Sequence, residues 1–335
     1  MSEPLRIGVL GASRIGSLSI ASPARATGAR LVAIAARRRE RAEEWAAENG
    51  VERVVDSYQA LLEDPEVEAV YNPLPNGLHG EWNLRAILAG KHVLSEKPFA
   101  SNAEQAAAVV AAGRAAGLVV LEAFHYPFHP NFHRVCELLE GGAIGNLVQV
   151  EAPMRMPPPG PDDPRWQFEL AGGALMDVGC YAVHCVRQLG RFAGGEPEVV
   201  QARAVVHPDH PDVDQRISAD LRYPGGATAI AGGSMDAASF DFHLTITGTA
   251  GRIHLPDFPR PHEDSTLVWT DAQGTEHRED GGSRSSYTYQ LEGFTDAVRT
   301  GAALPYDDAA EQMAMIDAIY RAAGLPVRPV TAAQA

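Results

Sequence analysis

The chain is expected to be an α/β protein. An N-terminal domain with a doubly wound parallel sheet should precede a C-terminal α+β domain with a large, mostly antiparallel open sheet. Three observations predict this. Over roughly the first 125 residues, short apolar runs alternate with helical patterns, the signature of βα units that build a parallel sheet. A glycine-bearing turn follows the first of those runs. Past residue 146 the pattern becomes strand-like runs parted by turn signals such as Pro224-Gly-Gly226 and Gly248-Thr-Ala-Gly251. At 335 residues the chain exceeds what one core usually serves. We read two domains, 1–124 and 125–335.

Taken in order, strands are expected at Arg6–Leu10, Leu31–Ala36, Arg53–Val55, Ala69–Leu74, His92–Ser95 and Val119–Phe124. Most are nearly continuous in Val, Ile, Leu and Ala, as strands covered on both faces should be. Ser101-Asn-Ala-Glu104 reads as a capping box opening an Ala-rich helix. Gly90 and Gly117 sit where helices should stop. A proline-broken turn and a helix fill 125–146, Leu147–Arg155 reads as a strand, and the Pro-rich stretch 156–166 must be a loop. Gly173–Leu189 is helical in pattern. Strands follow at Val199–His207, Arg216–Tyr223, Thr228–Gly233, Phe242–Thr247, Arg252–Leu255 and Thr266–Trp269. Two helices close the chain, about 286–300 and 308–323, and the tail 331–335 reads as frayed.

Composition narrows the function. The apolar fraction is 45% and the formal net charge is -15, with no block of like charge. Nucleic acid is a poor partner for such a surface, because phosphate binding needs basic residues. Anionic lipid is a poor one too. The N-terminus has no basic segment followed by a long apolar run, and no stretch approaches a membrane span. A cytoplasmic protein acting on a small molecule is expected. Cys136, Cys180 and Cys185 are odd in number and form no C-x-x-C pair, which suits a reducing compartment.

Gly11-Ala-Ser-Arg-Ile-Gly16 follows the first strand and opens a helix. That is the context of a Rossmann dinucleotide turn, with the helix N-terminus aimed at a pyrophosphate. Gly11, Ala12, Ser13, Arg14 and Ile15 are therefore cofactor candidates. Ser13 replaces the second glycine of the usual fingerprint. Sites preferring NAD carry a carboxylate at the end of the second strand for the ribose 2′-hydroxyl. Here Ala35-Ala36 leads into Arg37-Arg38-Arg39. Arg37 and Arg38 could pair with a 2′-phosphate, which favours NADP(H) over NAD(H). Read as plain surface residues they would oppose the dipole of the helix they open.

In an open α/β sheet, ligands bind beyond the carboxyl ends of the strands. Asn72, Pro75 and Asn76 fall at the end of the fourth expected strand, with Pro73, Leu74 and His79 of the same segment as further cofactor candidates, and Glu96 and Lys97 fall at the end of the fifth. Asp177 and Tyr181 are four apart, hence on one helix face. A dehydrogenase exchanges a proton while nicotinamide exchanges a hydride. Tyr181 beside Lys97 would make an acid/base pair, since an ammonium favours the phenolate.

Val70-Tyr-Asn-Pro-Leu-Pro-Asn-Gly-Leu-His79, Ser95-Glu-Lys-Pro98 and Gly172-Gly-Ala-Leu-Met-Asp-Val-Gly-Cys-Tyr181 together resemble the Gfo/Idh/MocA oxidoreductases along nearly the whole chain. Tyrosine where that family often has histidine resembles the branch of dimeric dihydrodiol dehydrogenases and NADP-linked D-xylose dehydrogenases. The resemblance implies catalysis by Lys97, Tyr181 and Asp177, with Asp177 orienting substrate or Lys97. It implies oxidation of a sugar, polyol or trans-dihydrodiol. It also implies a homodimer through the open sheet, with a tetramer left open. His125, Tyr126 and Trp166 should border the substrate, with Asp177 and Tyr181. The branch usually reads E-A-F-M-Y-R-F-H-P where this chain has Glu122-Ala-Phe-His-Tyr-Pro-Phe-His-Pro130, and Gln167 replaces a common arginine. His125, His129 and His133 share a four-residue spacing, but Pro127 and Pro130 break any helix that would align them, so no metal is expected. Rival readings are an NAD-linked, inositol-type polyol dehydrogenase and a non-catalytic dinucleotide sensor. The missing carboxylate near Ala36 counts against the first, and the presence of Lys97 and Tyr181 against the second.

Overall fold

The structure, a computed structural model, describes residues 3–304 and 308–331; the rest of the tail read as frayed lies outside them. The chain divides into two compact units. In the first, β1 (Arg6–Leu10), β2 (Arg30–Ala35), β3 (Ala69–Asn72), β4 (His92–Ser95) and β5 (Val120–Glu122) lie parallel in the order β2-β1-β3-β4-β5. Val9, Val32, Ile34, Ala69 and Val93 are all buried, as the continuous apolar runs require. β1 pairs with β2 on one side and with β3 on the other. The direction of winding reverses there, the point at which open α/β sheets bind ligands beyond the carboxyl ends of their strands.

Three expectations are corrected in this unit. Arg53–Val55 forms only a single bridge, Ile34 to Val54, before the chain turns at Ser57 into the helix Tyr58–Glu63. β3 stops at Asn72 because Pro73 has no N–H for the ladder. The helix Ala103–Ala116 is capped by Asn102, whose side chain accepts from Gln105 N at 3.0 Å, and Ser101 lies one residue outside. Gln105 Oε1 accepts from Ser101 N at 3.0 Å, so Gln105 takes the place expected of Glu104, and its bond falls on the residue before the cap.

In the second unit, β6 (Leu147–Arg155), β7 (Glu198–His207), β8 (His210–Arg222), β9 (Thr228–Ser234), β10 (Leu244–Gly248), β11 (Arg252–Leu255), β12 (Thr266–Thr270) and β13 (Glu276–Asp280) form one sheet, ordered β13-β12-β11-β10-β6-β9-β8-β7. Only β6 and β9 run parallel. β13 was not expected: Glu-His-Arg-Glu-Asp carries no apolar alternation. It pairs with β12 and stacks His277 on Trp269 with ring centroids 4.0 Å apart. The helix Cys180–Gln188 is buried along most of its length. The segment before it lies close to β9: a Cβ on Gly233 would sit 2.5 Å from Ala174 O.

The unit boundaries depart from the expected domains in one respect. Residues 125–335 were read as one domain, but the chain returns to the first unit at Tyr287. There Arg299, on the helix Ser286–Thr300, holds Glu68 through two nitrogens at 3.1 and 3.0 Å. Among the described residues, no helix is long and apolar enough to cross a membrane.

Candidate active site

The glycine turn is built by backbone conformation and then capped by a side chain. Gly11 adopts φ +92°, and an added Cβ would meet Leu74 at 3.2 Å. Its N–H donates to Ala35 O at 2.7 Å, so the turn is stitched to the end of β2. Ser13 caps the helix by accepting from Gly16 N at 3.0 Å, and the indole of Trp45 donates to Ser13 O at 3.0 Å. The helical run then passes from Arg14–Gly16 through a π turn, Ser17–Ala21, into Ser22–Thr27. π turns are rare and recur at functional sites. Ala12 is half-buried, while Arg14 and Ile15 are exposed at the open end.

The arginines after β2 divide by partner. Arg39 pairs with Glu43 and with Asp56. Arg37 and Arg38 are exposed, and among the described residues neither guanidinium holds an ion pair. Arg38 occupies the cap position of the helix Arg39–Asn49 without a capping side-chain bond. Two free guanidiniums beside a glycine cradle that a Cβ would fill fit a pyrophosphate bearing an extra phosphate.

The loops after β3 and β4 are fixed by buried polar groups. Asn72 binds His79 O at 3.2 Å and Asn83 Oδ1 at 2.8 Å. His79, expected to face the cofactor, is 1% exposed instead. Its ring nitrogens meet Pro98 O at 2.7 Å and Leu74 O at 2.6 Å, clipping one loop to the other. Burial pushes its pKa down to about 4, against the pull of the two carbonyls. Glu96 is also buried and accepts from the Tyr71 hydroxyl at 2.7 Å. Glu122 accepts from Phe99 N at 2.9 Å. Pro73, Asn76 and Lys97 remain half-buried at the rim, whereas Leu74 is packed under the glycine turn.

In the second unit, Asp177 lies on another π turn, Leu175–Gly179, and Tyr181 on the helix that continues it. Asp177 meets Arg165 Nε at 2.8 Å, and this charge holds the guanidinium's pKa up. Arg165 was not among the expected site residues. Trp166 is 2% exposed, and its ring packs on His207 at 4.4 Å. Its burial and this ring contact brace the Arg165 segment. The rings of His125 and Tyr126 lie 5.9 and 6.3 Å from that of Tyr181. His125 is held by Ser286 Oγ at 2.8 Å, and Tyr126 by His184 Nδ1 at 2.8 Å.

Beneath this cluster is a brace that sequence reasoning missed. Gly173 adopts φ +127°, and a Cβ there would fall 2.0 Å from Asp214 Oδ1. Asp214 forms a fully buried pair with Arg328 at 2.5 Å, accepts from Leu175 N at 2.7 Å, and receives the Tyr320 hydroxyl at 2.9 Å. Arg328 Nε also binds Gly172 O at 2.7 Å. The paired glycines were the available signal, since two in a row before a helix mark a close approach.

Comparisons with known proteins agree along the chain. Residues 5–124 match the family model "Oxidoreductase family, NAD-binding Rossmann fold", and residues 132–254 match "GFO/IDH/MocA C-terminal domain". A D-xylose 1-dehydrogenase (NADP(+)) from Haloferax volcanii is 37% identical, over 95% of this chain and 97% of its own length. A trans-1,2-dihydrobenzene-1,2-diol dehydrogenase from Xenopus laevis is 35% identical over 68% and 67%. Among solved structures, a 3-ketoreductase from Actinomadura kijaniata in complex with NADP and TDP-benzene superposes with a TM-score of 0.88 at 31% identity. That match covers 96% of this chain and 98% of the other.

Proposed function

The chain belongs to the Gfo/Idh/MocA oxidoreductase family, and on that footing we propose an NADP(H)-dependent enzyme that moves a hydride to or from a hydroxyl-bearing carbon of a sugar, polyol or trans-dihydrodiol. The observation that carries the cofactor choice is the pair of exposed, unpaired arginines after β2, where an NAD site would hold a carboxylate. The relatives named above support the substrate class.

Bound NADP supplies the carbon that accepts or gives the hydride. Tyr181 is proposed to take the hydroxyl proton as that carbon is oxidised, and to return it in reduction. The Lys97 ammonium favours the phenolate form. Asp177, neutralised by Arg165, orients substrate rather than acting as a base. His125 and Tyr126 wall the tyrosine. Gly11, Ser13, Arg14 and Ile15 receive the pyrophosphate, Arg37 and Arg38 the 2′-phosphate, and Pro73 and Asn76 flank the nicotinamide side. We also propose a cytoplasmic homodimer joined through the outer face of the large sheet, where Val205 and Ile230 are exposed.

Titration with NADPH and NADH, followed by nicotinamide fluorescence, tests this reading. NADPH should bind at least about tenfold tighter, ~1.4 kcal/mol, and Arg37→Ala/Arg38→Ala should remove that margin. Equal affinities in the wild type would sink the 2′-phosphate assignment. With an aldose and dihydrodiol panel, Tyr181→Phe should lower kcat by roughly 10²-fold or more while leaving NADPH binding intact.

A further inference from the structure

Inside the first unit, three hydroxyl and carboxyl groups join two segments far apart in sequence. Ser19, in the middle of the π turn Ser17–Ala21, lies 2.5 Å from the Tyr71 hydroxyl. That hydroxyl lies 2.7 Å from Glu96 Oε1. All three residues are buried. At its other side, Ser19 Oγ reaches back 2.9 Å to Ile15 O, one helical turn toward the open end. The line therefore runs from the exposed residue at the dinucleotide turn to the residue preceding Lys97.

Counting hydrogens shows that, with Glu96 ionised, this line is one hydrogen short. Ser19 and Tyr71 bring one hydroxyl hydrogen each, for three short oxygen–oxygen contacts. With Glu96 ionised, Tyr71 donates to the carboxylate and Ser19 donates to Tyr71, so Ile15 O receives nothing from Ser19. If Ser19 turns to Ile15 O instead and Tyr71 donates to Ser19, Glu96 keeps its contact only by carrying a proton itself. If Ser19 gives its hydrogen to Ile15 O while Tyr71 gives its own to an ionised Glu96, the 2.5 Å Ser19–Tyr71 contact is left without one, so a bond made at one end is felt along the line.

Three further bonds that hold the Lys97 loop come from elsewhere. His79 grips Pro98 O, Asn83 grips Phe99 O at 3.2 Å, and Glu122 grips Phe99 N. These originate in the β3 loop, its following helix and β5. None of these three originates in the helical run that begins at Arg14. Of these ties, the one through Tyr71 alone ends on that run. Gly16 lets the run settle there: a Cβ on it would lie 3.7 Å from Tyr71 Cε1 and 3.1 Å from Trp45 Cζ2.

We propose that Tyr71 is a positioning residue that couples occupancy of the dinucleotide turn to the placement of the loop carrying Lys97. An anion at the helix N-terminus draws the first-turn amides toward it. The shift of the Ile15 peptide changes its bond with Ser19, and Tyr71 passes the change to Glu96. Lys97 is then set when cofactor is bound. This inference rests on the dinucleotide-binding reading above.

The test uses 2′-phospho-ADP-ribose, which brings both phosphate features but no nicotinamide, so it cannot cover the Lys97 loop directly. Calorimetry measures its binding, and hydrogen exchange follows the amides of residues 95–97 and 99. Saturating ligand should slow their exchange by roughly tenfold in the wild type. In Tyr71→Phe the ligand should still bind, but the slowing should shrink to less than about twofold. A purely structural role for Tyr71 would raise exchange equally with and without ligand. Full ligand-dependent slowing in Tyr71→Phe overturns the coupling. Ser19→Ala cuts the same line from the helix side and must give the same result, which guards against misfolding of the first variant. If the wild type shows no calorimetric binding, the dinucleotide reading itself falls, and the coupling with it.

Discussion

Each unit introduces its functional helix with the same local device. Gly11 at φ +92° precedes the π turn Ser17–Ala21, and Gly173 at φ +127° precedes the π turn Leu175–Gly179. The two differ in what meets the amides at the helix opening. In the first unit Ser13 caps Gly16 N alone, and the neighbouring Arg14 and Ile15 are exposed. In the second, Leu175 N is already bound to a buried carboxylate, Asp214. A helix N-terminus is a ready anion site, so the first can receive a phosphate while the second has its anion built in. The open turn is suited to a ligand that comes and goes. The closed turn serves to hold Asp177 and Tyr181 rigidly, as a site built on supported elements requires.

The largest way to break this comparison is to remove the built-in anion's partner. Arg328→Met should leave Asp214 uncompensated in a site with no exposure and cost about 3–5 kcal/mol in urea unfolding. Arg328→Met/Asp214→Asn should recover part of that loss, because no charge is then stranded. A loss below about 1 kcal/mol in the single variant would mean that the pair is a bystander. Tyr181→Phe, by contrast, should leave stability nearly unchanged.

A second test sharpens the same contrast on the first unit. Its internal polar groups brace the loops around an open turn, and His79 among them has a readable titration. Its folded pKa, about 4, lies below the ordinary value near 6.5. The unfolded chain therefore binds the proton first. No penalty applies above about pH 6.5; stability is lost as pH falls from there and levels off below about 4, reaching about 3 kcal/mol. His79→Gln should flatten this part of the profile relative to the wild type in urea unfolding between pH 7 and pH 4.5. Parallel curves for the two proteins would remove His79 as the cause.

The legibility of the molecule follows the same divide. The parallel sheet, the glycine turn and the arginines after β2 could be read because each depends on residues close in sequence. The strand at Glu276–Asp280 could not, because its pairing with Thr266–Thr270, not its own composition, makes it a strand. The site residues split in the same way. Gly11, Ser13, Arg37 and Arg38 show their chemistry locally. His79 and Trp166 do not: both sat at plausible positions along the chain, and tertiary burial gave each a bracing task. Asp214 and Arg328 are 114 residues apart, and no periodicity links them. The bond of Arg165 to Asp177 depends on how the Pro-rich loop folds back. The return of the chain to the first unit after Tyr287 left no mark in helical periodicity.

The smallest effect bears on what Ser13 contributes where the fingerprint would have glycine. Its hydroxyl accepts from Gly16 N, and a side-chain cap of this kind is worth about 1 kcal/mol. Glycine cannot supply that bond, although it caps helices at a cost of only a few tenths of a kcal/mol. Ser13→Ala should therefore lose about 1 kcal/mol in urea unfolding, and Ser13→Gly much less. If Ser13 serves only as a cap, both variants should bind NADPH within about twofold of wild type, under 0.5 kcal/mol. The hydroxyl still has its own hydrogen to donate, since the cap uses only a lone pair. A loss of NADPH affinity with unchanged NADH affinity in both variants would give that hydrogen to the 2′-phosphate. Stability measures the closed function of Ser13, and the NADPH-to-NADH ratio measures the open one. The two readouts separate because the serine accepts toward the helix and donates away from it.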